Sequence, residues 1–133
     1  MIEISTNKIK LQVEVIHGFL TDTYWAKGRT RDEVKKTIDH CHCFGVYLNE
    51  KQIGFARVAT DYTVFAYVMD VFILSDYRGR GYSKQLIEAI HADPKLQTCK
   101  VWMLKTADAH HLYKQFGYSE LQHPEKVMER LLL

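Results

Sequence analysis

Two glycines and three cations crowd residues 76–84, Asp-Tyr-Arg-Gly-Arg-Gly-Tyr-Ser-Lys, between an apolar run ending at Leu74 and a helical pattern beginning near Ser83. At a strand-to-helix junction the first helical amides lack intrahelical acceptors and the helix dipole adds partial positive charge. Such a turn suits a phosphate or pyrophosphate. Gly79 and Gly81 let the backbone come close to a ligand, and the guanidiniums of Arg78 and Arg80 match phosphate oxygens. Gly-x-Gly is short, however, and an ordinary tight turn with solvated arginines would read the same way. A Walker A loop needs Gly-x-x-x-x-Gly-Lys-Ser/Thr, which the chain lacks, and a dinucleotide fingerprint needs a third glycine where position 84 is Lys. A second tempting string is His40-Cys41-His42-Cys43. Consecutive strand residues point to opposite faces, and no other Cys/His pair has ligand spacing, so no metal is expected.

The elements that must position these residues can be read from periodicity. Residues 2–5 suit a short strand, and Leu11, Val15, Ile16, Phe19 and Leu20 have helical spacing. Thr30-Arg31-Asp32-Glu33 is a capping box opening a second helix that buries Val34, Ile38 and Cys41. The period then changes. Residues 43–48 and 52–60 are β-rich runs joined by Asn49-Glu50-Lys51, a hairpin signal, and residues 64–74 are a nearly continuous apolar run, the mark of a strand covered on both faces. After the glycine turn, Tyr82, Leu86, Ala89 and Ile90 form a core stripe that Asp93-Pro94 ends. Residues 100–104 read as another strand. Asp108 suits the N-cap of a short helix holding Ala109, Leu112, Tyr113 and Phe116, with Gly117 as its C-terminal cap, and residues 127–132 suit a last strand. The expected fold class is α/β (α+β), a mixed sheet with helices on both faces.

Composition narrows the setting. A chain of 133 residues fits a single domain, 1–133, and 47% hydrophobic with 26% charged residues reads as globular. No stretch approaches the roughly 18 apolar residues of a membrane span, and the start lacks a signal peptide's basic and apolar regions, so a cytoplasmic location is expected. Three cysteines make no even disulfide framework, as in a reducing compartment. A formal charge of +2 without a basic block argues against a nucleic-acid surface.

Two blocks together carry a resemblance to the GNAT superfamily of N-acetyltransferases. Arg78-Gly79-Arg80-Gly81-Tyr82-Ser83 resembles the family's Arg/Gln-x-x-Gly-x-Gly/Ala, with Ser83 replacing the last small residue. Residues 106–118, Thr-Ala-Asp-Ala-His-His-Leu-Tyr-Lys-Gln-Phe-Gly-Tyr, resemble Asn-x-x-Ala-x-x-Leu-Tyr-x-x-x-Gly-Phe, with Thr106 at the Asn position. The resemblance covers residues 64–118 best and implies an acetyl-CoA cleft between two splayed parallel strands, 64–74 and 100–104. It implies that backbone groups of Val71, Phe72 and Ile73 hold the pantetheine arm, that amides from Gly79 to Lys84 hold the pyrophosphate, and that Tyr113 is a general acid near the CoA sulfur. Tyr113 at helical spacing beside Leu112 and Phe116 also reads as core.

For proton removal from an amine, Asp70 is the first candidate, because a carboxylate inside an apolar strand needs a partner or a function; an ion pair with Arg57 is the equal alternative. Asp61 is the runner-up. Tyr24 and Trp25, followed by Lys27 and Arg29, are candidates to line the acceptor pocket, although an aromatic pair at a helix end also suits packing. The expected function is acetyl-CoA-dependent transfer of an acetyl group to a primary amine of a small molecule or protein. The alternatives are a catalytically silent acyl-CoA-binding regulatory module and a nucleotide- or nucleic-acid-binding domain. The expected partner is an amine acceptor, with no nucleic acid, no membrane and no metal; a homodimer is left open.

Overall fold

A computed structural model describes residues 1–132. The chain runs β1 (Glu3–Ser5), α1 (Val13–Leu20), α2 (Arg31–His40), β2 (His42–Leu48), β3 (Lys51–Thr60), β4 (Phe65–Ile73), α3 (Tyr82–Ala92), β5 (Val101–Leu104) and α4 (His110–Lys114). Local chemistry sets several of these boundaries. Thr30 accepts the Glu33 amide and donates its own amide to the Glu33 carboxylate, closing the capping box that starts α2. Between β2 and β3 the loop is two residues, Asn49 and Glu50, both at positive φ (50° and 67°), as a type I′ hairpin requires.

The five strands lie in chain order in one sheet, antiparallel except for the last pair, β4 with β5. A parallel pair needs a crossover, and α3 supplies it. Helices cover both faces. On one face Ile16 and Leu20 of α1 and Val34 and Ile38 of α2 pack on Cys43, Phe55 and Phe72, with Phe19 stacked on Phe72 at 4.1 Å. On the other face Leu86 and Ile90 of α3 pack on Phe44, Val46, Ile53 and Val68. Leu86, Ile87 and Ile90 are at most 2% exposed, so each contributes about 1.5–3 kcal/mol of apolar burial.

Two irregularities shape the far end of β4. Phe55 pairs with Phe72 but Arg57 pairs with Met69, so Ala56 alone faces Asp70 and Val71, a β-bulge with Asp70 at φ 55°. The β4–β5 ladder runs from Phe65 opposite Val101 to Val68 opposite Leu104 and stops there. Beyond it the strands separate.

Two expectations about the C-terminal part are corrected. Residues 127–132 form no strand; they are exposed chain after a single 3₁₀ turn at Pro124–Lys126. Val127, Met128, Leu131 and Leu132 do not alternate, and Glu129 instead meets Lys105. The last helix starts at His110, two residues after Asp108, because Thr106 Oγ1 takes the Ala109 amide at 3.0 Å and Ala109 occupies the capping position. Gly117 does close that turn, at φ 92°, with the Tyr118 amide reaching back to the Tyr113 carbonyl.

Candidate active site

The separation of β4 and β5 opens a cleft of about 530 Å³. Its walls come from three places: the loop after α1 with Tyr24, Trp25 and Arg29, the β4 segment through Asp70 and Val71, and the chain after β5 with Thr106, Asp108 and Tyr113. Tyr67, Met69 and Lys105 line it as well, which sequence reasoning missed. The period-two face of β4 was the available signal for the first two. Lys27 does not line it.

Tyr113 is 9% exposed, and its hydroxyl has no hydrogen-bond partner among the described residues, although the ring lies edge-on to Tyr118 at 5.7 Å. Burial pushes its pKa up to about 12, with the Asp108 charge adding to the shift. The phenol therefore stays protonated at neutral pH, a donor facing a cavity without a protein acceptor.

Asp70 is tied on both oxygens. Trp25 Nε1 donates to Oδ1 at 3.0 Å, while Arg29 Nη1 and Arg57 Nε donate to Oδ2 at 2.7 and 2.9 Å. The side chain is 2% exposed. These contacts realise the Arg57 ion pair expected as one alternative, and they add Arg29 and Trp25. Trp25 thus serves two ends: it fixes the loop after α1 to β4, and it forms a wall of the cleft beside Tyr24, whose ring meets it edge-on at 5.2 Å.

Asp61 lies outside the cleft. It sits in the β3–β4 turn, where Oδ1 accepts amides of Thr63, Val64 and Phe65 at 2.9, 2.7 and 3.2 Å, and those bonds hold its pKa down. Its carboxylate organises a turn at the far end of β4 from the splay.

The glycine turn follows the end of β4 at which the splay opens. Gly79 and Gly81 have φ of 79° and 81°, and a Cβ on either would meet no heavy atom within 4 Å, so the space over the turn is open. Among the described residues, no amide from Gly79 to Lys84 donates to a protein acceptor. Six N–H groups, including those of Arg80, Tyr82 and Ser83, are thus available at the N-terminus of α3. Arg78 Nε donates to the Ile73 carbonyl at 3.1 Å, tying the turn to β4, and the Arg80 guanidinium lies 5.5 Å from the centre of the Tyr77 ring. Val71 to Ile73 lie on the stretch of β4 beyond the β5 ladder. Phe72 and Ile73 are buried and Leu74 donates to Ile53, while the β4 edge on the β5 side has no strand partner there among the described residues.

A larger cavity, about 870 Å³, lies along the outer side of β5, lined by His91, Trp102, Phe116 and Tyr118. There His91 Nε2 and the Tyr118 hydroxyl are 2.8 Å apart, so each satisfies the other, and burial lowers the His91 pKa. The smaller cleft is the stronger candidate because it joins an unpartnered phenol to a free strand edge.

Comparisons with known proteins bear on the family and the fold. Residues 39–120 match the profile of the acetyltransferase (GNAT) domain. A crystal structure from Xanthomonas campestris pv. campestris, described as belonging to the GNAT family, is 43% identical over 99% of this chain and 94% of its own, with a TM-score of 0.97. A structure from meticillin-resistant Staphylococcus aureus covers all of both chains at 20% identity and TM-score 0.77. An aminoglycoside N-acetyltransferase in complex with CoA shares the fold at TM-score 0.65 and 21% identity, over 100% of this chain and 93% of its own. On its matched domain and its close structural relative, the chain belongs to the GNAT family of acetyltransferases.

Proposed function

We propose that the protein is an acetyl-CoA-dependent N-acetyltransferase that passes the acetyl group directly to a primary amine in the β4–β5 cleft. The observation carrying this reading is the junction itself: a protonated Tyr113 hydroxyl without a partner among the described residues lies in the cleft where β4 and β5 part, and six free amides follow in the turn after β4. Those amides and the open space over Gly79 and Gly81 fit a pyrophosphate, and the free edge of β4 at residues 69–73 fits an amide-bearing arm running along it. When bound, acetyl-CoA supplies a thioester whose acyl carbon exchanges its bond to sulfur for one to nitrogen, while the amine gives up a proton and the thiol gains one.

The protein's own part is positioning and proton handling. Tyr113 donates a hydrogen bond toward the place where sulfur acquires charge. All three cysteines are buried and none lines the cleft, and Thr106 Oγ1 is committed to the Ala109 amide, so direct attack by the amine is favoured over an acylated side chain. With both its oxygens engaged, Asp70 holds the acceptor wall in place, and the amine's proton goes to water in the open cleft. The test couples binding to turnover. Acetyl-CoA at about 100 times its Kd adds roughly 2.7 kcal/mol of stability, so a thermal scan should rise by several degrees. Thiol release is then followed with a panel of amines. No thermal shift removes the reading, and a shift without release for any amine leaves a silent binder.

A further inference from the structure

The cleft holds an unbalanced charge at its floor. Two guanidiniums, Arg29 and Arg57, share the single carboxylate of Asp70, and their side chains are 21% and 10% exposed. Arg57 spends all three of its nitrogens within the protein, on Asp70, on Cys41 Sγ at 3.4 Å and on Met69 Sδ at 3.6 Å. Arg29 spends only Nη1. Its Nε and Nη2, the side-on edge of the guanidinium, have no protein partner among the described residues, and the residue lines the cleft. That edge is a two-donor fork of the shape that grips a carboxylate.

On the chain after β5 the cleft is lined by one cation and one carboxylate, Lys105 and Asp108. Both are exposed, and Lys105 pairs with Glu129, which lies outside that lining, so Asp108 is the carboxylate beside Tyr113 without an ion-pair partner among the described residues. A diamine or polyamine would meet positive charge at the floor. A molecule with an anion at one end and an ammonium at the other meets complementary charge at both. A cavity of about 530 Å³ is sized for a small molecule.

Resting on the acetyltransferase reading above, we propose that the acceptor is a small amino acid-like zwitterion, whose carboxylate is held by the Nε–Nη2 edge of Arg29 while its amine lies on the Asp108 and Tyr113 side. Arg29 is then the specificity-determining residue, and Asp70 sets the angle at which its fork is offered.

The test uses matched pairs of amines that differ only in carboxylate against carboxamide, such as β-alanine with β-alaninamide and their longer and α-amino homologues, with putrescine as a dication. Thiol release from acetyl-CoA gives kcat/KM for each member, and intrinsic amine reactivity cancels when one pair's ratio is compared between enzymes. The wild type should favour a carboxylate member by about 10 to 100-fold, the worth of one charge-assisted fork. In Arg29→Gln that ratio should fall towards one, chiefly through KM. Should Arg29→Gln not fold, Arg29→Lys carries the test: it keeps the charge near Asp70 but not the fork, and the ratio must drop severalfold. Preference for carboxamides or putrescine, or a ratio unchanged in the variant, overturns the proposal. So does a protein stabilised by acetyl-CoA that acetylates none of these amines, in which case cofactor binding stands. Failure of acetyl-CoA itself to stabilise the protein removes the acetyltransferase reading and this inference with it.

Discussion

Replacing Tyr113 by Phe separates an acetyltransferase that uses its phenol from one that merely packs it. The hydroxyl has no protein partner among the described residues and the ring is held edge-on to Tyr118, so the substitution strands no polar group and keeps the packing. The melting temperature should stay within a degree or two. The kinetic effect follows from the pKa. Burial raises the phenol to about 12, several units above an ordinary thiol near 8.5, so outright proton transfer to a departing thiolate is uphill. A hydrogen bond to the developing charge remains, and bonds to charged groups are worth about 1.5–3 kcal/mol. Because a thiolate already leaves readily, we expect the low end of what general acid catalysis supplies, a fall in kcat of about 10 to 100-fold, or roughly 1.4 to 2.7 kcal/mol.

The assay is kcat at saturating acetyl-CoA and amine for both proteins, with acetyl-CoA affinity measured by calorimetry. The affinity should change little, since the bond strengthens only as charge appears on sulfur. The same pKa makes a second demand. A phenol titrating near 12 keeps its proton throughout pH 6 to 10, so the ratio of wild-type to Tyr113→Phe rates should be flat across that range. Equal rates would return Tyr113 to the core. A ratio that collapses with a midpoint near pH 8 would refute the argument from burial even if the residue matters.

Three further outcomes are expected. Gly81→Val forces a β-branched residue to φ 81° and places its side chain over the free amides; the protein should lose on the order of 1–2 kcal/mol, and a folded variant should no longer be stabilised by acetyl-CoA. Asp70→Asn leaves Arg29 and Arg57 without their shared charge, and urea midpoints should show a loss of about 3 kcal/mol or more, with unchanged stability refuting the buried-pair account. Alkaline pH should destabilise the fold: Tyr47, Tyr113 and Cys43 have native pKa values raised by burial to about 12 from ordinary values of 10.0, 10.0 and 9.0, and Tyr118 is raised too. Between about pH 9 and 12 the unfolded chain therefore binds fewer protons than the native one, so this contribution is complete below pH 9 and is lost as pH approaches 12, and a urea midpoint flat from pH 8 to 11 would contradict it.

Features written in a few adjacent residues were legible in the sequence. Thr30 and Glu33 announce a helix start because both halves of the capping box lie within one turn, and the glycine turn at Arg78 to Ser83 that starts α3 is equally local. Features that required the third dimension were harder. Asp108 and Thr106 both have capping side chains, and nothing in the chain shows that Thr106 will reach the Ala109 amide first. Residues 127–132 have β-forming types without alternation, so composition suggested a strand that periodicity does not support. Asp61, just before the apolar run, and Asp70, within it, are both candidate bases in the sequence, yet one closes a turn in solvent and the other is buried between two arginines.

The bulge at Asp70 explains why so much of the site converges on one residue. One extra residue in β4 opposite Ala56 reverses which side chains face which side beyond it, and the β5 ladder ends only two residues earlier, at Val68. A non-glycine residue at φ 55° costs on the order of 1–3 kcal/mol and persists only where its surroundings over-determine it. Here three donors do so, two from the loop after α1 and one from β3. Removing the strain by placing glycine at position 70 would also release Trp25 and Arg29, and with them the wall that faces the acceptor. The strained backbone, the buried ion pair and the acceptor wall are therefore one device, in which the contacts that fix β4 just past the end of the β5 ladder also set the half-used guanidinium of Arg29 against the cleft.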